Sequence, residues 1–150
     1  MRPPPAPLRR GFSLLELLLV LAVVSVLLLL ALPRMASVLD SVAVESAAQR
    51  VAAVHARARI TALIENRRVV YGIAADSLRV GVVANGDTTW RTAAAGPAAS
   101  GVTLTGPARR VLWSPVGVAM GASNGTWVLA RGSARRSVVV SRLGRLRIVR

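Results

Sequence analysis

The chain has no cysteine and no lysine, one phenylalanine, one tyrosine, one histidine and only six carboxylates in 150 residues. Without cysteine there is no disulfide framework, thiol nucleophile or thiolate metal site, so stability must come from packing. His55 stands alone, and the further ligands a metal centre needs are not evident. Ser114 and Ser141 have no histidine or acid near them in sequence to activate a hydroxyl. Asp76 and Asp87 fall in turn-like stretches and read as turn formers rather than an acid and base pair. These absences exclude the common catalytic constellations. We expect no catalytic residue, metal, cofactor or small-molecule substrate, and a protein that is not an enzyme. All 20 basic residues are arginine, giving a formal charge of +14. Such an excess invites a polyanion such as nucleic acid or anionic lipid, although arginine in place of every lysine resembles base-composition bias more than design.

What is present in abundance is a long apolar run. From Phe12 to Leu32 the only ionisable residue is Glu16. About 20 apolar residues in a helix cross a hydrocarbon core of roughly 30 Å, so residues 12–32 read as membrane-spanning. A secretory signal has a shorter apolar region and a small-residue cleavage site, and no Ala-x-Ala follows here. Arg2, Arg9 and Arg10 precede the run while Arg34 and Asp40 nearly balance beyond it, which keeps the N-terminus cytoplasmic and the bulk of the chain across the inner membrane. A carboxylate inside such a segment costs about 2.5 kcal/mol or more near its centre and calls for a partner. Residues 14–32 contain no base, so the positive charge must come from outside the segment. A new α-amino group, made by cutting before Phe12, would be one source.

Residues 1–11, rich in proline and arginine, form a leader. After Pro33 a helical pattern resumes, with Met35, Val38, Leu39, Val42, Val51, Val54, Ala58 and Leu63 close to a 3.6-residue repeat. Proline inside a helix removes a hydrogen bond and bends the axis, so residues 12–66 read as one helix kinked at Pro33: membrane-spanning at 12–32, an amphipathic continuation at 33–66. From residue 67 the period changes. Strand-like pieces occur at 69–73, 78–83, 88–91, 102–104, 111–113, 126–130, 137–141 and 145–149. Asn85-Gly86 is the strongest hairpin signal. Residues 92–101 carry no periodicity and read as a loop, and Trp90, Trp113 and Trp127 read as core. The expected fold is α+β, a long kinked N-terminal helix packed on an antiparallel β domain of about seven strands at 67–150.

Gly11-Phe12-Ser13-Leu14-Leu15-Glu16 resembles the signal of type IV pilins and type II secretion pseudopilins. In that family a prepilin peptidase cuts after the glycine and methylates the new amino terminus. The resemblance implies cleavage between Gly11 and Phe12, N-methylation of Phe12, and an assembly role for Glu16, whose carboxylate would neutralise the Phe12 amino group of a neighbouring subunit. Pro33 falls where pilins carry their helix-bending proline. The segment from Val111 to Gly117, that from Gly125 to Ala130 and the one from Val138 to Arg145 are similar to the GspH and FimT branch of minor pilins.

The resemblance implies a non-catalytic minor pseudopilin whose partners are the prepilin peptidase, other pseudopilins or pilins, and inner-membrane lipid. It also raises a second function. FimT-like minor pilins bind DNA through a C-terminal Gly-Arg-x-Arg, and Gly144-Arg145-Leu146-Arg147 has that form, with Arg142 and Arg150 beside it. In a strand Arg145 and Arg147 would share one face and could meet phosphates, or they could be the solvated charges of an edge strand.

Overall fold

The structure, a computed structural model, describes residues 12–108 and 110–150, with the backbone alone at 32, 33, 92 and 93. The leader and Gly11 lie outside the described residues. Among the described residues one α-helix, α1 (Leu14–Glu65), precedes nine strands: β1 (Arg68–Ile73), β2 (Ser77–Ala84), β3 (Asp87–Ala95), β4 (Thr103–Thr105), β5 (Arg110–Trp113), β6 (Ala119–Met120), β7 (Gly125–Arg131), β8 (Ala134–Val140) and β9 (Leu146–Val149). The chain divides into two units, Met1–Ala36 and Ser37–Arg150.

In the first unit α1 starts at Leu14 because Ser13 caps it. The Ser13 hydroxyl accepts the Glu16 N–H at 3.2 Å, and the Ser13 carbonyl accepts that of Leu17 at 3.2 Å. Such a cap stabilises a helix by about 1 kcal/mol. Glu16 lies in the first turn, where the helix dipole favours a negative charge. Every described side chain from 12 to 31 is exposed. The most apolar window has a mean hydropathy of 3.0 with none of it buried, so the helix is long and apolar enough to cross a membrane. Ser25 donates to the Leu21 carbonyl at 2.7 Å, which satisfies its hydroxyl within the helix.

In the second unit α1 lays one stripe against the sheets: Val44, Ala47, Ala48, Val51, Val54, His55, Ala58 and Ala62 are all buried. The expected stripe is corrected here. Val51, Val54 and Ala58 are in it, whereas Val38, Leu39, Val42 and Leu63 are exposed. Small residues define the packed side because they let the helix approach the sheet closely, while the bulkier chains face outward. Met35, which belongs to the first unit, is also exposed. The helix ends at Asn66, in the left-handed region at φ 50°, where Arg67 N–H returns to the Ala62 carbonyl at 3.3 Å.

All strand pairs are antiparallel, in a five-stranded sheet of order β3-β2-β1-β5-β6 and a four-stranded sheet of order β4-β7-β8-β9. Inward residues of both sheets, among them Val69, Tyr71, Leu78, Trp113, Trp127, Leu129 and Val138, join the α1 stripe in one core. The Tyr71 hydroxyl donates to the Val51 carbonyl at 3.2 Å, and burial pushes its pKa up. Asn85 (φ 52°) and Gly86 (φ 84°) form the two-residue turn between β2 and β3, as their sequence predicts.

Two further expectations are corrected. Residues 92–101 are not a loop: the alanines at 93–95 pair with Arg79, Leu78 and Ser77 to extend β3, and a short 3-10 helix follows at Pro97–Ser100. Alanine carries neither a strand nor a loop signature, so pairing rather than propensity decides. Trp90 is not core. It is 38% exposed on the outer face of the five-stranded sheet, whereas Trp113 and Trp127 are buried.

Candidate functional site

At the N-terminus of α1, Phe12 precedes the helix and is exposed, and Glu16 projects from the first turn. Among the described residues no cation lies within ion-pair distance of the Glu16 carboxylate. Its backbone N–H, by contrast, is held by Ser13. The Ser13-x-x-Glu16 spacing is that of a capping box, a signal legible in the sequence that our reading missed.

The basic turn lies between β8 and β9. Gly144 N–H donates to the Ser141 carbonyl at 2.9 Å, Ser141 N–H to the Arg145 carbonyl at 2.9 Å, and Arg145 N–H to the Ser141 hydroxyl at 3.1 Å. Gly144 is buried at φ 77°. Its carbonyl accepts from His55 Nε2 of α1 at 2.9 Å, which fixes the histidine as the Nε2–H tautomer. The His55 ring stands edge-on to Trp113 at 5.1 Å and to Tyr71 at 5.7 Å, with Nδ1 buried and unpartnered. Burial lowers the His55 pKa, the Gly144 carbonyl raises it, and nearby Arg59 lowers it further. His55 is therefore a core residue that pins the turn. It connects positions 89 apart in sequence, a link no local pattern discloses.

The structure splits the four candidate arginines. Leu146 and Ile148 lean on the core, so Arg147 lies on the opposite, exposed face of edge strand β9; Arg145, the residue just before the strand, is exposed as well, with Arg142 exposed in the turn. Arg150 is out of this group. It falls on the side of Leu146 and Ile148 and lines a depression with Glu45 and Arg136. The Glu45 carboxyl is held below its usual range, first by the Gln49 amide and then by Arg136, with a smaller contribution from Arg150.

The other carboxylates of the second unit are also committed. Asp40 pairs with Arg131 at 2.9 Å, Glu45 with Arg136 at 2.9 Å and Glu65 with Arg91 at 2.5 Å. Asp76 accepts from the Ser77 hydroxyl and Asp87 from the Thr88 N–H, as turn residues do. Ser114 and Ser141 both spend their hydroxyls accepting backbone N–H groups in turns. Among the described residues no three His, Asp or Glu side chains converge on a common point.

A long N-terminal helix with an uncovered apolar half, leading into a domain of antiparallel sheets, defines a type IV pilin-like protein. Residues 7–32 match the prokaryotic N-terminal methylation motif, and residues 47–144 match the type II transport protein GspH family. The chain belongs to the GspH family. In fold it is similar to crystal structures of the type IV minor pilin FimU of Pseudomonas aeruginosa strain PAO1. One superposes with a TM-score of 0.60 at 19% identity, covering 71% of this chain and 88% of that one. A second crystal form gives 0.57 at 18% identity, covering 71% and 92%. At these identities the likeness is one of fold. No curated protein sequence matches the chain.

Proposed function

We infer that the protein is a non-catalytic minor pseudopilin of a type II secretion system, anchored in the inner membrane with its N-terminus cytoplasmic and its β domain periplasmic. The observation that carries this reading is the second apolar face of α1. Behind the stripe that packs on the sheets, Val38, Leu39, Val42, Ile60, Leu63 and Ile64 are exposed within the second unit, and residues 14–31 are uncovered in the first. A soluble domain satisfies its helix with one buried stripe. This helix has enough apolar surface for lipid first and neighbouring helices afterwards. In this reading the peptidase cuts between Gly11 and Phe12 and methylates Phe12, Pro33 bends α1, and Glu16 meets the Phe12 amine of an adjacent subunit. A charge-assisted pair in hydrocarbon sets register because the unpaired alternative is costly.

The test is Glu16→Ala. Processing at Gly11 should proceed normally, as seen by the mass of the membrane-extracted chain, while incorporation into sheared filaments should be lost. Normal incorporation would remove Glu16 from the assembly step.

A second reading, DNA binding as a FimT-like minor pilin, is favoured by one observation: Arg145 and Arg147 are both exposed at the start of β9, next to a turn held by His55 and packed on Trp113. That geometry can present two guanidiniums to successive phosphates.

A further inference from the structure

The outer face of the five-stranded sheet carries a second basic feature, remote in topology from β9. Gly72 of β1 pairs with Arg79 of β2 on one side and with Arg110 of β5 on the other. With strands about 4.8 Å apart, the two arginines stand roughly 10 Å from each other, on the same face, across a residue with no side chain. Trp90 of β3 reaches over this gap. It pairs with Gly81, and a Cβ at Gly81 would come within 3.0 Å of the indole, while one at Gly72 would lie 3.7 Å from its far edge. The Arg110 guanidinium sits 5.4 Å from the ring centroid. Together they line an open depression of about 410 Å³.

A tryptophan covering glycines in a sheet is a known stabilising device, and it accounts for Trp90 over Gly81. Arg110 adds a cation–π contact to the same ring, but neither contact accounts for Arg79 or for a second guanidinium beside it. Two like charges on the strands that flank β1 gain nothing from each other, and neither Arg79 nor Arg110 has a carboxylate within ion-pair distance among the described residues. Asp76 also lines the depression but is bonded to the Ser77 hydroxyl, which leaves one carboxylate against two guanidiniums. The half-exposed indole, covered by the Arg110 guanidinium on the side away from the glycines, offers a stacking face once that exposed side chain turns from the ring to a phosphate. Flanking guanidiniums offer planar, bidentate donors suited to phosphate. The bare backbone at Gly72 leaves room between them.

We propose that this depression binds a nucleotide unit of a single-stranded nucleic acid, with the base against Trp90 and its flanking phosphates on Arg79 and Arg110. A duplex keeps its bases stacked on one another and cannot offer that face, so single strands are preferred over duplex. The site lies on β1, β2, β3 and β5 and is independent both of the arginines on β9 and of assembly through Glu16.

The experiment is titration of the full chain, in detergent micelles, with oligothymidylate of about 10 nucleotides, a length within the span of known single-strand sites. Tryptophan emission is the readout. Trp113 and Trp127 are at most 1% exposed, so quenching reports on Trp90. The expected result is saturable quenching. In Arg79→Ala plus Arg110→Ala the dissociation constant should rise about tenfold or more, and the salt dependence should become shallower by roughly 1.4 in log–log slope. Arg145→Ala plus Arg147→Ala and Glu16→Ala should quench as the native chain does. Both pocket arginines are exposed, and an unchanged melting temperature checks that the variant folds. Equal affinity in the pocket variant would overturn the proposal. So would equal quenching by duplex DNA or by polyglutamate of the same charge, which would assign the face to unspecific polyanion binding.

Discussion

Replacing Gly144 by alanine should be among the most damaging single-methyl changes in this chain, and the structure sets the size of the effect. Two costs combine. Gly144 sits at φ 77°, where an L side chain loses about 1–2 kcal/mol. Its added Cβ would overlap the Trp113 ring at Cη2, lie 2.7 Å from Cζ3 and come 2.9 Å from the Ala119 Cβ. Trp113 is fully buried and wedged against His55, so it cannot swing aside, and overpacking of this kind costs about 1–3 kcal/mol. The sum is about 2–5 kcal/mol. For a unit of this size 1 kcal/mol moves the melting temperature by roughly 4 °C, so a fall of about 8–20 °C is expected. Tryptophan emission is the suitable probe, because the apolar half of α1 would dominate a helical signal without reporting on the sheets. Gly121 supplies an internal control. It has nearly the same backbone, at φ 67°, but nothing lies within 4 Å of an added Cβ. Gly121→Ala should therefore show the backbone cost alone, about 1–2 kcal/mol or roughly 4–8 °C. If Gly144→Ala is no worse than Gly121→Ala, the wedge between Trp113, His55 and the basic turn is not as tight as described.

His55 gives the unit a pH dependence whose sign follows from its burial. The folded pKa lies below the unfolded value of 6.5, so as pH falls the unfolded chain takes up the proton first. Stability is then complete above about pH 6.5 and is lost as pH falls through that value towards the folded pKa. Denaturant unfolding at pH 7.5 and 5.5 should show the native chain weaker at the lower pH and His55→Gln with a smaller difference; an equal difference in both would exonerate the histidine. For the DNA reading, a gel shift of the full chain at several salt concentrations should show weaker binding in Arg145→Ala plus Arg147→Ala, with a log–log slope shallower by roughly 1.8 on duplex. Arg150→Ala, which alters the side facing Glu45, should leave that slope unchanged. If the double variant binds as the native chain does, β9 is merely a solvated edge.

What could be read from the sequence was whatever rests on one physical demand at a time. A turn that needs φ above zero at both positions shows itself as Asn85-Gly86, and a helix that must outlast a bilayer shows itself by length. The orientation of α1 was harder because the helix answers two demands at once. Periodicity assumes one apolar face, but here Val38, Leu39, Val42 and Leu63 compete with the stripe through Val44, Ala48, Val51, Ala58 and Ala62, and the larger residues drew the reading to the wrong side. The packed side is marked by smallness rather than by hydrophobicity, since a helix that must lie close on two sheets needs alanine where a solvent-facing helix would tolerate anything. The same failure recurs at Trp90, where bulk suggested core although Gly72 and Gly81 on neighbouring strands had made a place for the ring outside. In both cases the informative residue is the small one opposite, which pattern reading passes over. The turn at Gly144 extends the point: its role rests on Trp113 and His55, from a strand and a helix far away in sequence, so only the folded chain shows why a glycine precedes Arg145.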